Sequence, residues 1–208
     1  MKPITLHPHE LNRLLSTGSV TVWRPIDRIG RHGKATQFGP SNTPGYDWHF
    51  RCKRGLWQDY RNADLMKLAP LPPGSERWVR ETWSYYCDYE NLFDCIRYKT
   101  DGARRKPDFH RFANVSENTW YRFSMLCDGC GCKDHSWRSP VTMPRWASRL
   151  SVVSREVQAR QVQSVTEEEA VEAGLADLTA FSEWWQRRFD TLGPDPWAWA
   201  TTLERHEG

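Results

Sequence analysis

A chain of 208 residues can hold one substantial core, or one domain with large insertions, and the second organisation suits this composition better. Thirteen prolines, thirteen glycines, twelve tryptophans and a mean hydropathy of −0.76 predict a soluble, loop-rich chain with an aromatic core; no apolar run approaches the roughly eighteen residues of a membrane span. The net charge of +3 hides an asymmetry: residues 1–160 carry 26 Lys/Arg against 16 Asp/Glu, and residues 161–208 carry 3 against 10. A basic body of this kind invites a polyanion, most commonly nucleic acid.

In chain order, MKPITLHPHEL lacks the apolar stretch of a signal peptide, so a cytoplasmic location is the expectation. Residues 8–16 predict a short helix with Leu11, Leu14 and Leu15 on one face, ending near Thr17-Gly18. Ser19 to Ile26 alternates as a strand, with Pro25 marking an edge or an end. Residues 27–73 read as a polar, glycine-rich excursion with short strands, closed by the prolines at 70, 72 and 73. The segment from Arg77 to Trp83 then resumes a strand pattern. Residues 84–136 form a second excursion. Strands follow at Leu150–Val153 and Val157–Val165. Thr166 and Glu169 form a capping box for a helix stopping near Gly174, a second helix runs from Thr179 to Phe189, and a last strand from Trp197 to Leu203. An α+β fold satisfies this order: a single domain built on a small, mostly antiparallel β-barrel with peripheral helices, since closure protects the edges of short strands.

Two stretches carry chemistry. Cys127, Cys130, Cys132 and His135 offer thiolate and imidazole donors at the short spacing of a structural zinc site. Gly129 and Gly131 ease the wrapping that a tetrahedral ion demands. Ligands so close together do not all reach one ion easily, so Cys87 or Cys95 is an alternative donor, and a reduced, metal-free turn is the competing reading. The stretch from Trp137 to Arg149, WRSPVTMPRWASR, interleaves three arginines with two tryptophans. Guanidinium forks hold phosphates and indole faces stack on bases, but the same residues also pack loops onto their own domain.

Five segments, LLSTGSVTVWR (14–24), RWVRETW (77–83), SPVTMPRWASR (139–149), TEEEAVEAGL (166–175) and WAWATTL (197–203), follow one another as in phage- and prophage-encoded proteins of the ASCH group. The chain therefore resembles members of the PUA-like superfamily. The resemblance implies a small PUA-like barrel with a cleft for RNA, DNA or a modified nucleoside. Some relatives hydrolyse N(4)-acetylcytidine, and others are linked to RNA cleavage. On that pattern Trp23, Arg24, Arg80, Trp83, Arg145, Trp146 and Arg149 are the candidate nucleic-acid contacts.

The chain departs from the family's catalytic set. With Arg24 matched to the family arginine, Ser19 stands at the lysine position and Val22 at the catalytic threonine; matching Gly18 to the family glycine puts Val20 and Trp23 there instead. The family glutamate falls on Ala173, with Glu172 about 100° around the helix. Amide hydrolysis needs a nucleophile or activated water and a proton acceptor, for which Ser19, Thr21 and Glu172 are the remaining weak candidates. The expectation is thus a nucleic-acid-binding module without the hydrolase chemistry, RNA being favoured over DNA. The alternatives are an adaptor binding a host protein and an amidohydrolase acting on a modified nucleoside.

Overall fold

The leucine spacing of residues 8–16 produces helix α1 (Pro8–Thr17), which buries Leu11, Leu14 and Glu10. It ends at Gly18, whose backbone φ of 80° is readily reached only without a side chain and whose N–H donates to the Leu14 carbonyl at 3.0 Å. The computed structural model containing this helix describes residues 1–88, 93–105, 136–189 and 196–206. They belong to two units: the described residues of Met1–Pro8 and Arg77–Ser151 form the first, and those of His9–Glu76 and Val152–His206 the second.

In the second unit, strand β2 (Ser19–Pro25) runs antiparallel to β11 (Trp197–His206), pairing Trp23 with Ala200 and Thr21 with Thr202. Strand β10 (Ser151–Gln161) lies on the other side of β11. The sequence suggests two strands here, but the chain makes one. Val152 and Ser154 are buried, Arg155 and Glu156 are both exposed, and Val157 and Ala159 are buried again, so the alternation changes phase without breaking the strand. Residues Val162–Ser164, expected to continue the sheet, form a 3-10 turn.

The excursion at 27–73 holds a second antiparallel sheet, β3 (Ala35–Pro40), β4 (Trp48–Cys52) and β5 (Trp57–Tyr60), followed by helix α2 (Asn62–Met66). One face of that sheet closes a core around Phe50, Ile29, Leu65 and Trp199. A neighbouring core cluster contains Trp23, Phe181, Trp185 and Ala170. It is formed with helices α3 (Glu167–Glu172) and α4 (Leu178–Phe189). The capping box is present: the Glu169 N–H donates to Thr166 Oγ1 at 3.3 Å and the Thr166 N–H to Glu169 Oε2 at 2.9 Å.

In the first unit, β1 (Lys2–Thr5) pairs in parallel with β6 (Glu76–Arg80), and β7 (Trp83–Asp88), β8 (Phe93–Tyr98) and β9 (Arg104–Arg105) form an antiparallel sheet. The expected single strand RWVRETW is therefore two strands, parted at Glu81, whose carboxylate is drawn into a buried ion pair. Trp78, Trp83, Ile96, Tyr98, Met143 and Trp146 make this unit's core. The fold class is α+β with mostly antiparallel sheets, and no closed barrel is found among the described residues.

Candidate nucleic-acid interface

The SPVTMPRWASR segment folds as two short 3-10 turns, Pro140–Thr142 and Arg145–Ala147, each set off by a proline whose fixed φ suits a turn start. The turns put Met143 and Trp146 inside and leave Arg145 on the surface. Trp146 meets the fully buried Trp83 edge to face at 6.5 Å. Both indoles, expected to stack on bases, are core residues here.

Arg149 is likewise occupied. Its Nε and Nη2 donate to the two Glu81 carboxylate oxygens at 2.9 and 2.8 Å, and Nη1 and Nη2 donate to Asp101 at 2.7 and 3.1 Å. Its guanidinium carbon lies 4.1 Å from the centroid of the Tyr98 ring, and the Tyr98 hydroxyl donates to the Ala147 carbonyl at 2.7 Å. Burial alone would ease proton loss from Arg149, but hydrogen bonds to Glu81 and Asp101 more than reverse this and raise its pKa. Burial pushes the Tyr98 phenol up as well. For Asp101, burial acts upward, and the Arg149 and Ala103 hydrogen bonds outweigh it, holding the carboxyl below its ordinary value. Four of the five N–H groups of this fork are spent on two carboxylates, which leaves it no pair of donors for a phosphate.

Apart from Arg145, what this unit presents outward comes from residues the site expectation did not include. Arg97 on β8 stands opposite Arg104 on β9, and the Arg97 guanidinium lies 4.5 Å from the centroid of the Trp137 ring. Trp137 is 38% exposed, and Arg104 and Arg145 are exposed. Arg138 bridges by backbone to Trp83, its N–H donating to the Trp83 carbonyl at 2.7 Å, while its guanidinium covers the Trp83 ring at 5.6 Å. Arg80, half-buried, lies over Trp78 at 5.1 Å. The alternation of Ile96, Arg97 and Tyr98 in the sequence was the available signal for Arg97.

The remaining candidates belong to the second unit. Trp23 is fully buried, packed edge to face on Phe181 at 5.6 Å. Arg24 makes a bidentate pair with the buried Glu10 at 2.7 and 2.9 Å, and its Nη1 also donates to the Trp23 carbonyl. Ser19 Oγ donates to the Leu203 carbonyl at 3.3 Å, and Thr21 Oγ1 lies 3.4 Å from Thr202 Oγ1. Glu172 is exposed at the end of α3. Neither hydroxyl has a base within hydrogen-bond reach among the described residues, so no proton acceptor is set for nucleophilic attack. Cys127, Cys130, Cys132 and His135 lie outside the described residues, as does the Cys87 side chain. Cys95 is buried on β8, and no metal-holding group of three or more His, Cys, Asp or Glu occurs among the described residues.

No protein-family model, curated protein or solved structure matches the chain. No helix among the described residues is long and apolar enough to cross a membrane.

Proposed function

We propose that the chain is a nucleic-acid-binding module of the PUA-like, ASCH type, phage- or prophage-encoded, acting in the cytoplasm on RNA without hydrolysing it. The observation that carries this reading is the exposed Trp137 with Arg97 over its ring, beside Arg104 and with Arg145 on the surface of the same unit. Guanidinium planes give phosphate contacts in fixed geometry, and an accessible indole offers a face on which an unpaired base can stack. The buried ion pair of Arg149 and the packed indoles of Trp83 and Trp146 hold the turns that present these groups.

That Ser19 and Thr21 hydrogen-bond a carbonyl and a second hydroxyl, with no base beside them among the described residues, favours binding over turnover. A titration of dye-labelled oligouridine by fluorescence anisotropy at low salt tests the reading. Arg104→Gln combined with Arg145→Gln should weaken binding about 10-fold, as expected for about 1.4 kcal/mol of charge-assisted contact. No binding by the unaltered protein removes the reading, and unchanged affinity in the double variant removes this interface.

A further inference from the structure

We infer that the hairpin β4–β5 of the second unit is a separate contact surface for single-stranded nucleic acid, with Trp57 as its stacking platform and Arg51, Lys53 and Arg54 as its phosphate contacts. This rests on the nucleic-acid reading above and adds a site that the sequence expectations did not contain. The antiparallel register pairs Arg51 with Trp57 and His49 with Asp59, and alternation along each strand places all four on the same side of the sheet. The other side carries Phe50, which is fully buried in the core, so the Trp57 side faces away from that core.

Trp57 is 53% exposed, unusual for the largest apolar side chain in a short hairpin. Neighbours nevertheless hold it in place. The Arg51 guanidinium lies 5.5 Å from its ring centroid and the His49 ring meets it edge on at 5.1 Å. An indole oriented by a cation and an imidazole loses little freedom when a base stacks on it.

The charge around it has the sign a polynucleotide requires. Lys53, Arg54 and Gly55 form the turn between the strands, with the Gly55 N–H donating to the Cys52 carbonyl at 2.9 Å. Arg51, Lys53 and Arg54 are all exposed. The acidic residue on this face, Asp59, is engaged by the hydroxyls of Ser41 at 2.7 Å and Thr43 at 3.0 Å. Three cations at one end of a hairpin, beside an accessible aromatic ring, match the stacking and electrostatic parts of single-strand binding; a duplex, with its bases paired inside, offers no face to Trp57.

The test uses the full chain and a dodecamer of uridine, with a duplex of equal length as the control. Trp57→Ala should weaken single-strand binding about 10-fold and leave duplex binding unchanged, whereas Trp57→Phe, which keeps an aromatic face, should recover most of the loss. Lys53→Gln with Arg54→Gln should lower the slope of log affinity against log salt by about 1.4, or about 0.7 per phosphate contact. Photo-cross-linking with 5-iodouridine in the oligomer should attach it to the peptide containing Trp57. Wild-type affinity in Trp57→Ala with cross-links confined to residues 77–151 overturns this surface while leaving the Trp137 interface standing. Loss in Trp57→Ala with none in the Arg104 and Arg145 variant supports this surface and removes the other. Absence of any binding by the unaltered chain overturns both.

Discussion

Arg149 shows how one residue can carry the chemistry expected of a ligand contact and spend it on the fold. Its partners Glu81 and Asp101 stand 68 and 48 positions away, and Glu81 is about 1% exposed. Arg149→Ala leaves that carboxylate buried without its counter-charge, and the unfolding free energy should fall by about 3–5 kcal/mol in urea titrations; a loss below about 1 kcal/mol would contradict the structural role. Arg145→Gln, on the surface four positions earlier, should change stability by less than about 0.5 kcal/mol. The Asp101 carboxyl adds a pH dependence. Its pKa is lower in the folded chain than the unfolded value of about 3.9, so its contribution is complete well above that value and is lost as pH falls through the lower folded one. The acid limb of a stability profile should therefore flatten in Asp101→Asn, and an unaltered limb would show that the carboxyl contributes nothing there. Sequence reading identified Arg149 as notable, but only the fold reveals that its fork is filled from two distant positions. Trp23, Trp83 and Trp146 follow the same logic: a tryptophan's type announces a large apolar surface, and burial decides whether that surface meets a base or a core.

Among the elements, the parts legible in the sequence were those written in local hydrogen bonds. The Thr166 and Glu169 capping box and the helix α1 stop at Gly18 depend on residues within a few positions of each other, and both are present as expected. Thr166→Ala should cost about 1 kcal/mol by thermal or urea unfolding, and no loss would mean that α3 is held by packing alone. Gly174 is a harsher test. Its φ is 86°, and a Cβ there would overlap the His9 carbonyl of α1, so Gly174→Ala should cost more than about 2 kcal/mol. A neutral substitution would show that α1 and α3 separate easily. Less legible were elements fixed by distant partners. Strand β10 keeps going through Arg155 and Glu156, where its apolar alternation changes phase, and β6 and β7 part at Glu81, whose carboxylate meets a guanidinium far along the chain. The three-stranded sheet of residues 35–60 was foreseen only as short strands, since its pairings lack a sustained apolar pattern.

For the whole molecule, the composition pointed to an aromatic-rich, loop-rich chain and the order of helices and strands to an α+β fold; the fold class follows that reading, with two units and mostly antiparallel sheets. The barrel implied by family resemblance depended on closure, which only strand pairing can establish. The division of charge, 26 Lys/Arg against 16 Asp/Glu before residue 161 and 3 against 10 after it, gives the chain a basic majority suited to a polyanion. The exposed guanidiniums of Arg104 and Arg145 and the Arg97–Trp137 pair give part of that charge a defined geometry. The most direct measurement is the affinity of the full chain for single-stranded oligouridine at about 50 mM and about 200 mM salt. With about three phosphate contacts, log affinity should fall against log salt with a slope near −2. Binding that is absent at the lower salt, or equally strong at both, would contradict the account.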